Sequence, residues 1–196
     1  MADQRICLFG GTFDPIHAAH LRMAEEAIRQ FDLDRVVFVP AGNPPHKDAR
    51  AVTPYEDRLE MVKLACAGHL KFEVSEMERG SERSYTIHTL ERFRKQLAPD
   101  DHLFFLIGAD AFDELETWHR WQEVVGLTEF IVVSRPGATY HIPAGARVLR
   151  LDNVQLPIAS RELRAKLAAG EAAPEIPAAV REFIARRGLY CLTGTQ

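Results

Sequence analysis

Cysteine is scarce in this sequence. Its three thiols, Cys7, Cys66 and Cys191, lie far apart and are odd in number. That excludes a disulfide scaffold and the close pairing of a zinc site, and leaves reduced thiols in a cytoplasmic protein as the expectation. No run of about 18 apolar residues occurs, so no membrane span and no membrane partner is expected. The opening stretch MADQRICLFGG has no long apolar segment behind a basic one, so no secretory leader is expected. Positive charge is not in excess. The 24 Lys and Arg against 28 Asp and Glu give a net charge of -4, which argues against nucleic acid as a general partner. Repeats, low-complexity tracts and an obvious linker are also missing.

What remains is a composition suited to a full core: 46% of the 196 residues are hydrophobic. ICLFG, VVFVP, FEVSEME, HLFFLIG, FIVVS and RVLRL read as strands, most of them short buried runs. Between them lie amphipathic segments of helical period. From His20, the residues Leu21, Ala24, Ile28 and Phe31 recur at helical spacing. TPYEDRLEMVKLACAG opens with Thr53 as a cap, Pro54 at the first helical position and Glu56 completing a capping box, and Gly68 closes it. SYTIHTLERFRKQL is helical, TWHRWQEVVG starts from a threonine cap, and SRELRAKLAAG and PAAVREFIARRG each end on glycine. Apolar strands alternating with helices predict a single α/β domain over 1–196. Its core is a Rossmann-like doubly wound parallel sheet with helices on both faces, the C-terminal helices from about 160 packing on the sheet. Such sheets bind ligands where the strand order switches, outside the strands' carboxyl ends. GGTFDPIHAAH, PAGNPPHK, GAD and SRPG all fall at strand ends, which points to one composite site.

GGTFDPIHAAH follows a strand and opens a helix. Gly10 and Gly11 let backbone approach a ligand closely, and the helix start offers unpaired N–H groups to an anion. His17 and His20, three residues apart, can both face the bound group and donate to phosphate oxygens or to charge developing on them. GNPPHK is a proline-stiffened turn carrying His46 and Lys47, and a lysine there suits a phosphate as well as it suits solvent. Ser160 reads as a helix N-cap with Arg164 one turn on. Asp110 could cap the next helix, accept from a ribose hydroxyl or position a metal through water. Trp118 and Trp121 are, by residue type, packing residues. His69, His88, His102, His119 and His141 match no motif.

GGTFDPIHAAH resembles the T/HxGH signature of the nucleotidylyltransferase superfamily, in the long form found in bacterial nicotinate-nucleotide adenylyltransferases. VPAGNPPHK, SYTIHTL, IGADAFDELETWHRW, VVSRPG, IASRELR and a late GLY extend the resemblance over nearly the whole chain. Ala19 stands where the family has glycine, and Ala159 and Arg161 stand where it has Ser and Thr. The resemblance implies a catalytic pair, His17 and His20. It implies an ATP site of Gly10, Gly11, Thr12, Phe13, the two histidines, Gly108, Asp110, Ser160 and Arg164. The mononucleotide site would comprise His46, Lys47, Tyr85, Thr86, Trp118 and Arg135, with Trp118 stacking on the pyridine ring and Tyr85 and Thr86 lining the same pocket. No protein metal ligands are implied, and Mg²⁺ is expected to arrive on the ATP phosphates.

The implied reaction joins the AMP part of ATP to nicotinate mononucleotide, giving nicotinate adenine dinucleotide and pyrophosphate, a step of NAD synthesis. Three rivals share features. Pantetheine-phosphate adenylyltransferase has the first signature but fits SYT, GAD…TW and the chain length poorly. A class I aminoacyl-tRNA synthetase core needs a KMSKS-like stretch that is missing. A nucleotide-binding sensor without turnover would not require both histidines, Lys47 and Arg164.

Overall fold

Alternating apolar residues sort themselves cleanly onto two faces of one sheet. A computed structural model describes residues 3–44, 52–80, 83–135, 137–152, 154 and 158–191. Six strands form the sheet: β1 (Arg5–Gly11), β2 (Arg35–Pro40), β3 (Phe72–Val74), β4 (His102–Gly108), β5 (Glu129–Val133) and β6 (Val148–Leu151). All pair in parallel in the order β3-β2-β1-β4-β5-β6. Cys7, Phe9, Phe38, Phe104, Leu106 and Ile131 point to one face, and Ile6, Leu8, Val37, Phe105, Ile107 and Phe130 to the other.

Helices cover both faces, which is why the central strands are apolar throughout. On the first face lie α1 (Ala18–Phe31), α2 (Tyr55–Cys66), α6 (Ser160–Ala168) and α7 (Ala178–Arg187), through residues such as Ala24, Val62, Leu163 and Phe183. On the second lie α3 (Thr86–Arg94), α4 (Ala109–Asp113) and α5 (Trp121–Leu127), through Ile87, Leu90, Phe112 and Val124. The chain turns from β1 toward β2 on one side, and β4 occupies the other. The loops after β1 and β4 therefore diverge and open a crevice at the strands' carboxyl ends. The doubly wound parallel sheet expected from the sequence is the fold observed, and no helix among the described residues is long and apolar enough to cross a membrane.

Four local expectations are corrected. Thr53 does not cap α2. Pro54 takes the cap position without a side-chain bond, because Thr53 N–H is drawn to Asp14 and Thr53 carbonyl to Arg58, while Glu56 pairs with Arg79. Thr117 does not start a helix: it ends a 3₁₀ turn over Leu115–Thr117. α5 begins only after Arg120, held at φ +55° and paired with Glu91 and Glu123. Ser160 is the first residue of α6 rather than its cap, which is Ala159. The strand read from FEVSEME spans only Phe72–Val74, since Ser75 onward turns away to bring Glu78 under the crevice.

Candidate active site

The turn between β1 and α1 is built by its own aromatic ring. Phe13 adopts φ +50° and is buried, with its ring edge-on to Phe9 at 5.4 Å and to His20 at 5.1 Å. The ring lies over Gly11 so closely that a Cβ there would meet it at 2.9 Å. Glycine at 11 is therefore a requirement of the turn's packing as well as of ligand approach.

Three side chains from two distant helices hold the backbone carbonyls of this turn. Arg58 of α2 donates from Nη1 to Thr12 at 2.8 Å, Arg164 of α6 from Nη1 to Asp14 at 2.5 Å, and the Ser160 hydroxyl to Pro15 at 3.0 Å. The Asp14 carboxylate is buried. Oδ1 accepts the Tyr190 hydroxyl at 2.6 Å, Oδ2 accepts Thr53 N–H at 3.3 Å, and the Arg164 guanidinium lies 3.9 Å away. Burial beside that carboxylate pushes the Tyr190 hydroxyl far up, so it stays a donor. Ser160 and Arg164 thus stand at the signature turn, each bonded to its backbone.

The paired histidines sit at the start of α1, with His17 as its cap residue. His17 backbone N–H donates to Nδ1 of His20 at 3.2 Å, and the rings stack with centroids 3.8 Å apart. A nitrogen that accepts cannot carry a proton, so His20 is neutral with its proton on Nε2. Burial lowers the His17 pKa to about 4, with Glu175 opposing the shift, and drives His20 well below the ordinary value with His17 adding to it. The pair therefore presents a donor without net charge. Ala19 is buried within the helix, where its backbone has no need of glycine.

The crevice itself is a cavity of about 230 Å³ whose walls come from three strand ends. Gly10, Gly11 and Thr12 after β1, Gly108 and Ala111 after β4, and Thr86 and Trp118 all line it. Trp118 is half-buried, edge-on to Phe105 at 6.3 Å. Trp121, expected in the core, is also only half-buried, because α5 starts late and lays it on the periphery of the second face. Tyr85 is corrected too. It does not share the crevice with Thr86 but lines a neighbouring cavity of about 430 Å³, its ring 4.6 Å from His119 and its hydroxyl accepting from Arg83 at 3.1 Å. Asp110 is exposed in the first turn of α4, whose cap is Gly108, so it caps nothing. Arg135 is exposed just beyond β5. His46 and Lys47 lie outside the described residues.

Two functional supports escaped the sequence reading. Arg58 is 1% exposed and binds the carbonyls of Thr53 at 2.8 Å, Thr12 at 2.8 Å and Gly42 at 3.4 Å, tying the signature turn to the loop after β2. Glu78 is buried, accepting Gly42 N–H at 3.2 Å and the Thr89 hydroxyl at 2.5 Å. A Cβ on Gly42 would lie 2.1 Å from the Glu78 carbonyl oxygen, so the glycine in PAGNPPHK marks this close approach.

The model of the cytidylyltransferase-like family matches residues 8–168. The chain is 52% identical over 186 residues to the "Probable nicotinate-nucleotide adenylyltransferase" of Solibacter usitatus, covering 95% of this chain and 99% of that one. A protein of the same name from Geobacter sp. (strain M21) is 41% identical over 213 residues, covering 95% and 98%. Among solved structures, Plasmodium falciparum nicotinic acid mononucleotide adenylyltransferase complexed with APC superposes with a TM-score of 0.77 at 20% identity, covering 95% of this chain and 97% of that one. The same protein complexed with NaAD gives 0.76 at 21%, with the same coverage. At that identity the likeness shows the fold.

Proposed function

The chain belongs to the nicotinate-nucleotide adenylyltransferases of the cytidylyltransferase-like family, and we propose from that premise that it transfers the AMP part of ATP to nicotinate mononucleotide. The products are nicotinate adenine dinucleotide and pyrophosphate, a step in NAD synthesis. The observation that carries this reading is the shared crevice: the Gly10–Gly11–Thr12 turn, Thr86 and Trp118 line one cavity, with the histidine pair at the start of the helix that follows the turn. The glycine turn suits a polyphosphate and the tryptophan a flat aromatic ring.

The nucleophile is a phosphate oxygen of the mononucleotide, already largely ionised because its second pKa is about 6. It forms a bond to the α-phosphorus of ATP as the bond to the pyrophosphate oxygen breaks. No side chain removes a proton. The chain's work is to align the two phosphates and stabilise charge as it shifts to the leaving group. His20 donates from Nε2, the backbone of Gly10 and Gly11 admits the phosphates closely, and Trp118 and Thr86 seat the pyridine side. Arg164 and Ser160 stand at the turn to meet the triphosphate. Mg²⁺ would be brought by ATP, held mainly through its phosphates and water, and Asp110, exposed in the first turn of α4, would reach it through water. Bound in that way, the ion would neutralise phosphate charge and assist departure of pyrophosphate.

Label position tests the bond broken. ATP labelled at the α-phosphorus is expected to pass its label to the dinucleotide, and ATP labelled at the γ-phosphorus to release it as pyrophosphate. Label from the γ-position in the nucleotide product would contradict adenylyl transfer.

A further inference from the structure

The chain leaves α7 through Gly188 at φ +62° and returns to the same conformation at Tyr190, also at φ +62°. Glycine takes the left-handed region freely, but a tyrosine occupies it only where its surroundings hold it there. Its ring packs on the first face of the sheet, and its hydroxyl donates to Oδ1 of Asp14, in the signature turn, at 2.6 Å.

Two guanidinium groups lie about the buried Asp14 carboxylate. Arg58 is fully committed, since Nε, Nη1 and Nη2 each donate to a backbone carbonyl. Arg164 is not. Among the described residues it makes one hydrogen bond, from Nη1 to the Asp14 carbonyl at 2.5 Å, and a third of its side chain is exposed. That same Nη1 stands 3.9 Å from Asp14 Oδ2, a small movement short of a close ion pair. A guanidinium and a carboxylate favour a two-pronged pair, which would turn Arg164 inward if the carboxylate lacked other donors. It has them: the Tyr190 hydroxyl serves Oδ1 and Thr53 N–H serves Oδ2.

We propose that Tyr190 is a positioning residue for Arg164: its hydroxyl, a neutral donor on Oδ1 of Asp14, keeps the guanidinium off the carboxylate, so that Arg164 rests on the Asp14 carbonyl with Nε and Nη2 left for the triphosphate of ATP. This rests on the adenylyl-transfer reading, in which Arg164 meets the triphosphate. An internal carboxylate and the ATP phosphates compete for one cation, and a hydroxyl decides the competition. No covalent bond changes and no proton moves.

The test is a double-mutant cycle on MgATP affinity, read by calorimetry without mononucleotide. Tyr190→Phe keeps the ring and removes the donor. It is expected to bind MgATP about tenfold more weakly, the scale of one charge-assisted contact, with KM for the mononucleotide within about twofold of wild type. In an Arg164→Met background the same change is expected to have almost no further effect, because the cation being competed for is gone. Adding Asp14→Asn to Tyr190→Phe is expected to restore affinity to within about threefold of wild type: the carboxamide oxygen still accepts Thr53 N–H, and no charge draws Arg164 inward. A hydroxyl that serves only the fold would lower the melting temperature, add its effect to that of Arg164→Met and gain nothing from Asp14→Asn. If Tyr190→Phe alone fails to fold, the Tyr190→Phe/Asp14→Asn variant decides, since without the carboxylate the hydroxyl is no longer needed. Unchanged affinity in Tyr190→Phe, additive losses with Arg164→Met, or a Tyr190→Phe/Asp14→Asn variant that is unfolded or still about tenfold weak would overturn the proposal. A wild type that binds no MgATP would overturn the adenylyl-transfer reading itself.

Discussion

The backbone N–H of His17 donates to Nδ1 of His20, and the two imidazole rings stack against each other at the first turn of α1. One histidine thereby fixes the tautomer of the next.

If His20 supplies an Nε2–H donor to the shifting phosphate charge, His20→Ala is expected to lower kcat by about two to three orders of magnitude, the scale of one lost oxyanion-type donor. KM for ATP should move far less. Near-normal turnover in this variant would remove His20 from the chemistry.

The lowered histidine pKa values make stability pH-dependent. The unfolded imidazole of His17 binds a proton below about 6.5, and the folded one only below about 4. Stability from this group is present above pH 6.5 and is lost as pH falls toward 4, by on the order of 3 kcal/mol. His20 acts in the same direction. Denaturant titrations between pH 7 and 4.5 are expected to show a smaller loss for His17→Asn than for wild type. Equal slopes would show that His17 is not held neutral by burial.

Trp118 lines the crevice and Trp121 does not. Trp118→Ala is expected to raise KM for the mononucleotide about tenfold or more, from lost stacking and lost area together, and to leave KM for ATP nearly unchanged. Trp121→Ala should leave both KM values alone. Since Trp121 is half-buried, its loss should lower the melting temperature by less than a full core truncation does. Mononucleotide binding weakened only in the Trp121 variant would reverse the assignment.

Arg58, itself buried, bonds three part-buried carbonyls from three parts of the chain. Arg58→Met strands them, and each buried polar group left unpaired costs about 1–3 kcal/mol. A destabilisation of several kcal/mol is expected in denaturant unfolding, with Arg58→Lys recovering part of it. A loss below about 1 kcal/mol would mean that the turn does not depend on this guanidinium.

How much of this was legible in the sequence divides along a physical line. Strands such as HLFFLIG announce themselves because both faces are buried, and the sheet class follows from their alternation with helices. The Gly-Gly turn and its histidines are legible because local backbone needs leave local residue types. The misread cap at Thr53 is a place where a distant partner, Asp14, outbid the local grammar, whereas Thr117 turns its hydroxyl back to the Glu114 carbonyl of its own 3₁₀ turn. Arg58 and Glu78 left no signal, since what each does is set by a residue far away in the chain, and Tyr190 was legible only as the end of the late GLY, not as the partner of Asp14. Tyr190 and Asp14 meet across almost the entire sequence.

Pyrophosphate release with ATP and Mg²⁺, compared between nicotinate mononucleotide and nicotinamide mononucleotide, tests the central claim most directly. The account predicts turnover with nicotinate mononucleotide that requires both ATP and a divalent metal, is abolished by EDTA and returns with Mg²⁺, and exceeds turnover with the nicotinamide form. No pyrophosphate from nicotinate mononucleotide, by a folded protein in the presence of ATP and Mg²⁺, would contradict it.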